Sequence, residues 1–157
     1  MVLVRAMARS DGPALRSFHE QLSSETQRQR FLTSHPRLSH RELDRLTMLD
    51  HDRREALVAL EDDAIVAVAR YERASGADAN VMLVVRDDHQ GRGVGSQMLQ
   101  ELAALAQQRG VERLHVRTLP DNPKMWAAAH DTGYPCDETR DGAFVMITIT
   151  LAGPPHR

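Results

Sequence analysis

Cysteine is almost absent from this chain: Cys136 stands alone among 157 residues. A single thiol cannot close an internal disulfide, so the fold relies on no covalent staple and a reducing cytoplasm is the expected compartment. Lysine is equally scarce, with Lys124 the only one, and the net charge is −2. That balance leaves no basic stripe of the kind a nucleic-acid partner requires. No stretch approaches the ~20 apolar residues that cross a bilayer. The opening Met1–Ser10 carries Arg5 and Arg9 but no long apolar run, so neither a signal peptide nor a membrane partner is expected. Nowhere do His, Cys, Asp and Glu fall at zinc-ligand spacing, so no metal is expected either.

What is present is globular. Apolar residues make up 41% and charged residues 27% of the chain, which suits one domain with a real core. Residues 1–152 are expected to form that domain, with 153–157, including Pro154 and Pro155, as a disordered tail. Val2–Met7 reads as a strand. Ser10 or Asp11 can cap a helix with Pro13 in its first turn and Leu15, Phe18 and Leu22 on one face. Ser23–Thr33 reads as a second helix. Ser39-His40-Arg41-Glu42 has capping-box spacing and opens a third, faced by Leu43, Leu46 and Leu49. The pattern then changes to strands. Glu55–Leu60 and Ala64–Tyr71 form a hairpin about Glu61-Asp62-Asp63, and Asn80–Arg86 is apolar enough to predict a central strand covered on both faces. Gly93–Arg109 is a helix striped by Val94, Met98, Leu102, Leu105 and Ala106 and ended by Gly110. Beyond it come a strand at Leu114–Leu119, a helix from Pro123 capped by Asp121 or Asn122, and a hairpin turning at Asp141-Gly142 into Ala143–Leu151. The sum is an α/β (α+β) sandwich.

One segment carries chemistry. Between the strand ending at Arg86 and the helix near Gly93 runs His89-Gln90-Gly91-Arg92-Gly93-Val94-Gly95-Ser96. Alternate glycines let the backbone turn sharply and bring bare amides close to a phosphate. At a helix start those amides lack partners and the macrodipole adds about half a positive charge. That is an anion site suited to a pyrophosphate, with Arg92 adding a full charge. No Gly-Lys-Ser/Thr follows, and the glycine spacing is not that of a dinucleotide fold.

Gln90-Gly91-Arg92-Gly93-Val94-Gly95 resembles the Gln/Arg-x-x-Gly-x-Gly/Ala signature of GNAT acetyltransferases, and Asn122-Pro-Lys-Met-Trp with Gly133-Tyr134 resembles their second motif. Leu22-Ser-Ser-Glu-Thr, His35-Pro, Leu38-Ser, Leu46-Thr, Leu49-Asp, Ala56-Leu-Val-Ala and Val68-Ala-Arg-Tyr are similar to the Pat-type bacterial protein lysine acetyltransferases. The likeness runs from Val2 to Leu151. It implies a GNAT-like mixed, mostly antiparallel central sheet flanked by helices, and acetyl-CoA as co-substrate. It implies that the backbone from Gly91 to Ser96, with Gln90, Arg92 and Val94, binds the pyrophosphate. Leu83, Val84 and Val85 would pair with the pantetheine arm as an added strand would. An amide near Val84 or Val85 would polarise the thioester carbonyl, and Asn122 and Lys124 would flank the cofactor. For Asn122 a plain helix cap is the competing role. The implied reaction is direct attack of an amine, a protein lysine or a small amine, on acetyl-CoA in a ternary complex.

The proton is the difficulty. A free lysine has a pKa near ~10.4, so freeing its lone pair at pH 7 costs about 4.6 kcal/mol, and a positioned base contributes ~10²–10⁴-fold. The Pat-type resemblance puts a glutamate ten residues before the motif's glutamine, and here that position is Asn80. An amide can orient an amine but takes up no proton. The tyrosine that other members use as general acid corresponds to Ala129, and Tyr134 reads as packed. Substitute bases are Asp78, Asp50, His51, Asp52 and His115, with Asp78 read as a solvated turn carboxylate and Glu72 as a solvated strand end. Cys136, Met98, Met125 and Trp126 read as packing residues. Two other readings stay open: an acyl-CoA-binding regulatory module that lost the base, and a phosphate-binding structural domain. The chain starts directly on the acetyltransferase-like part, so no direct control by cyclic AMP is expected. Ala143–Leu151 could pair across a homodimer.

Overall fold

The computed structural model describes residues 2–23, 25–26 and 38–151. Most of the helix expected over Ser23–Thr33, and the tail 153–157, lie outside these residues.

Among the described residues seven strands form one sheet: β1 (Leu3–Ala6), β2 (Arg54–Glu61), β3 (Ala64–Arg73), β4 (Asp78–Val85), β5 (Arg113–Thr118), β6 (Cys136–Asp141) and β7 (Phe144–Thr150). Their spatial order is β1-β2-β3-β4-β5-β7-β6. Neighbours are antiparallel except β4 and β5, which run parallel. A parallel pair needs a crossover, and here α3 (Val94–Gln108) supplies it. The other described helices are α1 (Gly12–Glu20), α2 (His40–Thr47) and α4 (Pro123–His130). The α/β sandwich is the architecture the sequence pattern implied, and the mostly antiparallel sheet is the one the family resemblance implied.

Local chemistry explains the boundaries. At α2 the capping box is complete: Glu42 N–H donates to Ser39 Oγ at 3.1 Å and Ser39 N–H to Glu42 Oε1 at 3.0 Å. The β2–β3 turn puts Asp62 at φ 51° and Asp63 at φ 65°. Two consecutive left-handed residues match the twist of a two-residue hairpin, and aspartate tolerates that region better than most.

Two cores sandwich the sheet. Beneath it, Met98, Leu99, Leu102, Ala103 and Ala106 of α3 are fully buried against Leu57, Ala69, Tyr71, Val81, Leu114 and Val116. Above it, Leu15 and Phe18 of α1 and Leu43 of α2 close over Val58, Val68 and Val84. This upper core takes no residue from β5, β6 or β7, so the far half of the upper face lies outside it. The expectation that β4 is covered on both faces therefore holds only in part. Ala79 and Val81 are buried below, while Asn80 is exposed above and Met82 keeps 39% of its surface. The apolar run is continuous because Met82 lines a cleft rather than a core. Pairing of β7 across a dimer is corrected too: β7 is hydrogen-bonded to β5 on one side and β6 on the other, leaving no free edge. The edge strand on that side is β6.

Candidate functional site

The glycine loop is shaped before any ligand arrives. The short 3-10 turn Asp87–His89 leads in from β4. Arg86 grips Asp88 twice, Nε to Oδ1 at 2.7 Å and Nη2 to Oδ2 at 3.0 Å. Buried His89 lies between Asp88 Oδ1, 2.8 Å from Nδ1, and Glu61 Oε1, 3.1 Å from Nε2. Hydrogen bonds from Arg86 and then His89 hold the Asp88 carboxyl far below the usual carboxylate range. Gln90 then braces the loop. Its Nε2 donates to Val85 O at 3.0 Å and Thr26 Oγ1 at 3.3 Å, and its Oε1 accepts from Lys124 Nζ at 3.2 Å. Its side chain thus braces the loop against β4 and holds Lys124 beside it.

Gly93 is the residue before α3 and sits at φ 81°, ψ 2°, a left-handed conformation that only glycine adopts without cost. The first bond into the helix runs from Gln97 N–H to Gly93 O at 3.0 Å. The amides of Val94, Gly95 and Ser96 therefore have no partner within α3, and they cluster at the positive end of its dipole. A Cβ at Gly95 would touch Val85 Cγ2 at 3.5 Å and Leu83 Cδ2 at 3.6 Å, so the helix start is pressed against β4. Ser96 Oγ donates to Asp131 Oδ2 at 3.0 Å, tying this corner to the end of α4. Arg92 and Lys124 are exposed on the loop's outer side. Asn122 holds the cap position of α4, yet its side chain makes no cap hydrogen bond. The plain-cap role is not the one it plays.

Beside this corner the sheet opens. β4 and β5 pair from Asp78/Arg113 only as far as Val81/Val116, after which they part. The far edge of β4 is left without a strand from Met82 to Val85. Arg86 N–H donates to Val66 O across on the β3 side at 2.8 Å. Successive amides alternate direction along a strand, so those of Val85 and Leu83 face the opening and that of Val84 faces β3. Of the residues expected to meet the pantetheine arm, Leu83 and Val85 present backbone to the gap, and Val84 turns its side chain into the upper core.

Above the same strand lies a cleft of ≈ 240 Å³ whose lining includes Leu46, Leu49, Arg54, Arg70, Glu72 and Met82. Asn80 pairs with Glu72 of β3 on one side and His115 of β5 on the other. The site thus has an opening between β4 and β5 at one end and a partly apolar, charged cleft beside it.

The alternative proton acceptors separate cleanly. Asp50 Oδ1 accepts from the backbone of Asp52 at 3.0 Å and Arg54 at 2.9 Å, a turn-building role. His51 Nδ1 lies 2.8 Å from Glu55 Oε1, whose other oxygen takes Arg109 Nη1 at 2.6 Å. That network ties the start of β2 to the end of α3. Glu72 meets Arg45 at 3.5 Å at the rim of the cleft. Cys136 Sγ donates to Ala129 O at 3.2 Å, and burial pushes the thiol up, with Asp137 adding to the effect. Tyr134 is buried and donates to Gln107 Oε1 at 2.7 Å, as the packed reading required. Met98 is buried, with Met125 and Trp126 packed alongside.

Asp78 departs from its expected place. It is the first residue of β4, not a turn residue, and His115 Nε2 lies 3.2 Å from its Oδ2. Thr148, which belongs to no motif in the sequence, lies 3.1 Å from His115 Nδ1 through its Oγ1. No local signal joins these three; only sheet register does. Among the described residues, no three His, Cys, Asp or Glu side chains are grouped to hold a metal, and no helix is long and apolar enough to cross a membrane.

Comparison with known proteins bears on this geometry. Residues 16–134 match the Acetyltransferase (GNAT) family. The GNAT domain of S. lividans PAT superposes with a TM-score of 0.88 at 34% identity, covering 95% of this chain and 90% of that one. The acetyltransferase Pat of Mycolicibacterium smegmatis is 40% identical over 63 residues, 39% of this chain and 19% of its own length. The solved structure of yncA from Salmonella typhimurium, with its cofactor acetyl-CoA, shares the fold at a TM-score of 0.77 and 15% identity, covering 98% and 97% of the two chains.

Proposed function

Because the chain belongs to the GNAT acetyltransferase family, we propose that it moves an acetyl group from acetyl-CoA to an amine by direct attack in a ternary complex, and that the acceptor is a protein lysine. One observation carries the reading: the unpartnered amides of Val94–Ser96 cap α3 beside the gap where β4 and β5 part. A pyrophosphate on the loop and an extended arm along Leu83–Val85 are then one continuous ligand path. Pyrophosphate charge meets the helix dipole, Arg92 and Lys124. The arm completes the ladder as an added strand, and the Val85 amide is placed to polarise the thioester carbonyl. Asn122, with its side chain unspent on capping, stands at the cofactor's other flank. The resemblance to Pat supports the lysine acceptor, and a small amine is the outcome to test beside it. The domain extends over 1–152. Lone Cys136 fits a reducing cytoplasm.

Calorimetric titration of acetyl-CoA into the wild type and Gly93→Asp tests the site without knowledge of the acceptor. Micromolar binding that the aspartate abolishes is expected; a folded wild type that binds no acetyl-CoA refutes the reading. The amide at Asn80 favours a second reading, a module that binds acyl-CoA with little turnover. It requires binding equal to that of an active enzyme, with transfer restored by Asn80→Glu.

A further inference from the structure

Sheet register builds one polar row across the open upper face. Glu72, Asn80, His115, Thr148 and Asp137 are successive cross-strand partners on β3, β4, β5, β7 and β6. Cross-strand partners share a face, and the row lies one residue before β4 and β5 part at Val81/Val116. Within it His115 is engaged at both ring nitrogens, with Asp78 Oδ2 3.2 Å from Nε2 and Thr148 Oγ1 3.1 Å from Nδ1. Arg113 Nε holds the other oxygen of Asp78 at 2.8 Å. Burial alone would raise the Asp78 carboxyl, but hydrogen bonds from His115 and Arg113 outweigh it and hold it below the ordinary carboxylate range. An ionised carboxylate only accepts, so the imidazole proton belongs on Nε2 and the lone pair on Nδ1, where the Thr148 hydroxyl donates to it.

We propose that His115 is the proton acceptor for the incoming amine, reached through the Thr148 hydroxyl and positioned by Asp78, in place of the carboxylate that Asn80 lacks. The proposal rests on the acetyl-transfer reading above. The acceptor R–NH3⁺ gives one proton to Thr148 Oγ as Thr148 passes its own to His115 Nδ1. The freed nitrogen lone pair attacks the thioester carbon and the N–C bond forms. The C–S bond then breaks, its electron pair leaving on the CoA sulfur, which takes a second proton from the attacking nitrogen. The imidazolium, facing the Asp78 carboxylate, later releases its proton to water. The balance is R–NH3⁺ plus acetyl-CoA to amide, CoA thiol and H⁺. Asn80, next to His115 in the row, can accept an N–H of the ammonium and orient it. From β3 to β6 the charged groups sharing the face are Arg70 and Glu72 on β3, Asp78 on β4, Arg113 and Arg117 on β5, and Asp137 and Asp141 on β6; Arg117 lies over the Phe144 ring at 4.3 Å and 3.7 Å from Asp141, and so turns away from the row.

The test uses the full chain with His115→Ala, Asp78→Asn and Thr148→Val. Acetyl-CoA binding is measured by calorimetry, and thiol release is followed from pH 5.5 to 9 with two probes, a blocked single-lysine peptide and spermidine. His115→Ala should keep acetyl-CoA affinity and lose ~10²–10³-fold in kcat. It should also lose the rise of kcat/KM through the range where imidazoles titrate, and added imidazole should restore part of the rate. Asp78→Asn should also lower kcat with acetyl-CoA affinity kept, through loss of the tautomer. An independent readout needs no acceptor: nitrogen-detected spectra of the His115 ring should show the proton on Nε2, a tautomer that Asp78→Asn should disturb. A His115→Ala variant with unchanged rate and pH profile overturns the proposal and leaves acetyl transfer standing. If neither probe is acetylated, a ring protonated on Nδ1, or one indifferent to Asp78→Asn, overturns it. A wild type that does not bind acetyl-CoA removes both readings together.

Discussion

Gly93 offers a clean test of the loop, because charge and backbone shape can be separated there. Its φ of 81° is left-handed, and a Cβ built on it meets no atom within 4 Å. A side chain has room, so the cost of substitution is confined to the backbone, about 1–2 kcal/mol for a residue forced left-handed and least for Asn and Asp. Gly93→Asn and Gly93→Asp should therefore fold alike, each with Tm lowered by ~2–4 °C per kcal/mol. The aspartate gains a little back at the helix start through the dipole. Their affinities for acetyl-CoA should differ sharply. One carboxylate about 6 Å from one pyrophosphate charge, at an effective dielectric of ~20, repels it by 332/(20 × 6), or about 2.8 kcal/mol. At 1.4 kcal/mol per decade that is roughly a hundredfold. Calorimetry of both variants at 0.05 and 0.3 M salt reads the difference, which should shrink at the higher salt as the Debye length shortens. Dissociation constants equal to the wild type's in both variants would mean that no phosphate lies at this loop. Equal loss in both would mean that backbone shape, not charge, governs binding.

Three further outcomes follow from the packing and the site. Leu102→Ala opens a cavity under the sheet, where Leu102 is fully buried, and should cost ~2–5 kcal/mol in denaturant unfolding; a loss below ~1 kcal/mol would contradict the burial. Asp11 is buried, and its carboxyl is held below the ordinary range chiefly by Arg5, at 2.8 Å, against the opposing effect of burial. A depressed pKa contributes stability that is fully present above the unfolded value near ~3.9 and fades as pH falls through the folded one. The stability difference between wild type and Asp11→Asn should accordingly be flat above about pH 5 and narrow towards acid, measured by thermal unfolding across pH 2–7. Asn80→Glu adds a carboxylate beside His115 and should raise transfer to the lysine peptide ~10-fold or more; a variant slower than wild type, with acetyl-CoA binding intact, would show that the position no longer serves the proton.

Much of the molecule could be read along the chain because it depends on neighbours in sequence. The Ser39–Glu42 box, the Asp62-Asp63 turn and the glycine loop before α3 are built from residues within a few positions of one another, and their chemistry is local. The 3.6-residue stripe of Met98, Leu102 and Ala106 likewise determined which face of α3 is buried. The loop's place as an anion site followed from a helix start and bare amides alone.

The remainder was decided by the sheet. Residues 78, 115 and 148 come from three strands, and only the register of β4 on β5 and of β5 on β7 makes them neighbours. Sequence offers no measure of that distance, since a slip of one residue would turn each side chain to the opposite face. The cleft over Met82 arises because α1 and α2 close the upper core no further than Val84, and an apolar run reads the same whether a helix covers it or not. Tertiary packing also set the Gln90 side chain to brace the loop, and put β6 rather than β7 at that edge of the sheet. Amino-acid order thus specified the elements and the anion-binding corner, whereas cross-strand register, a property of the whole sheet, decided which side chains can share a proton.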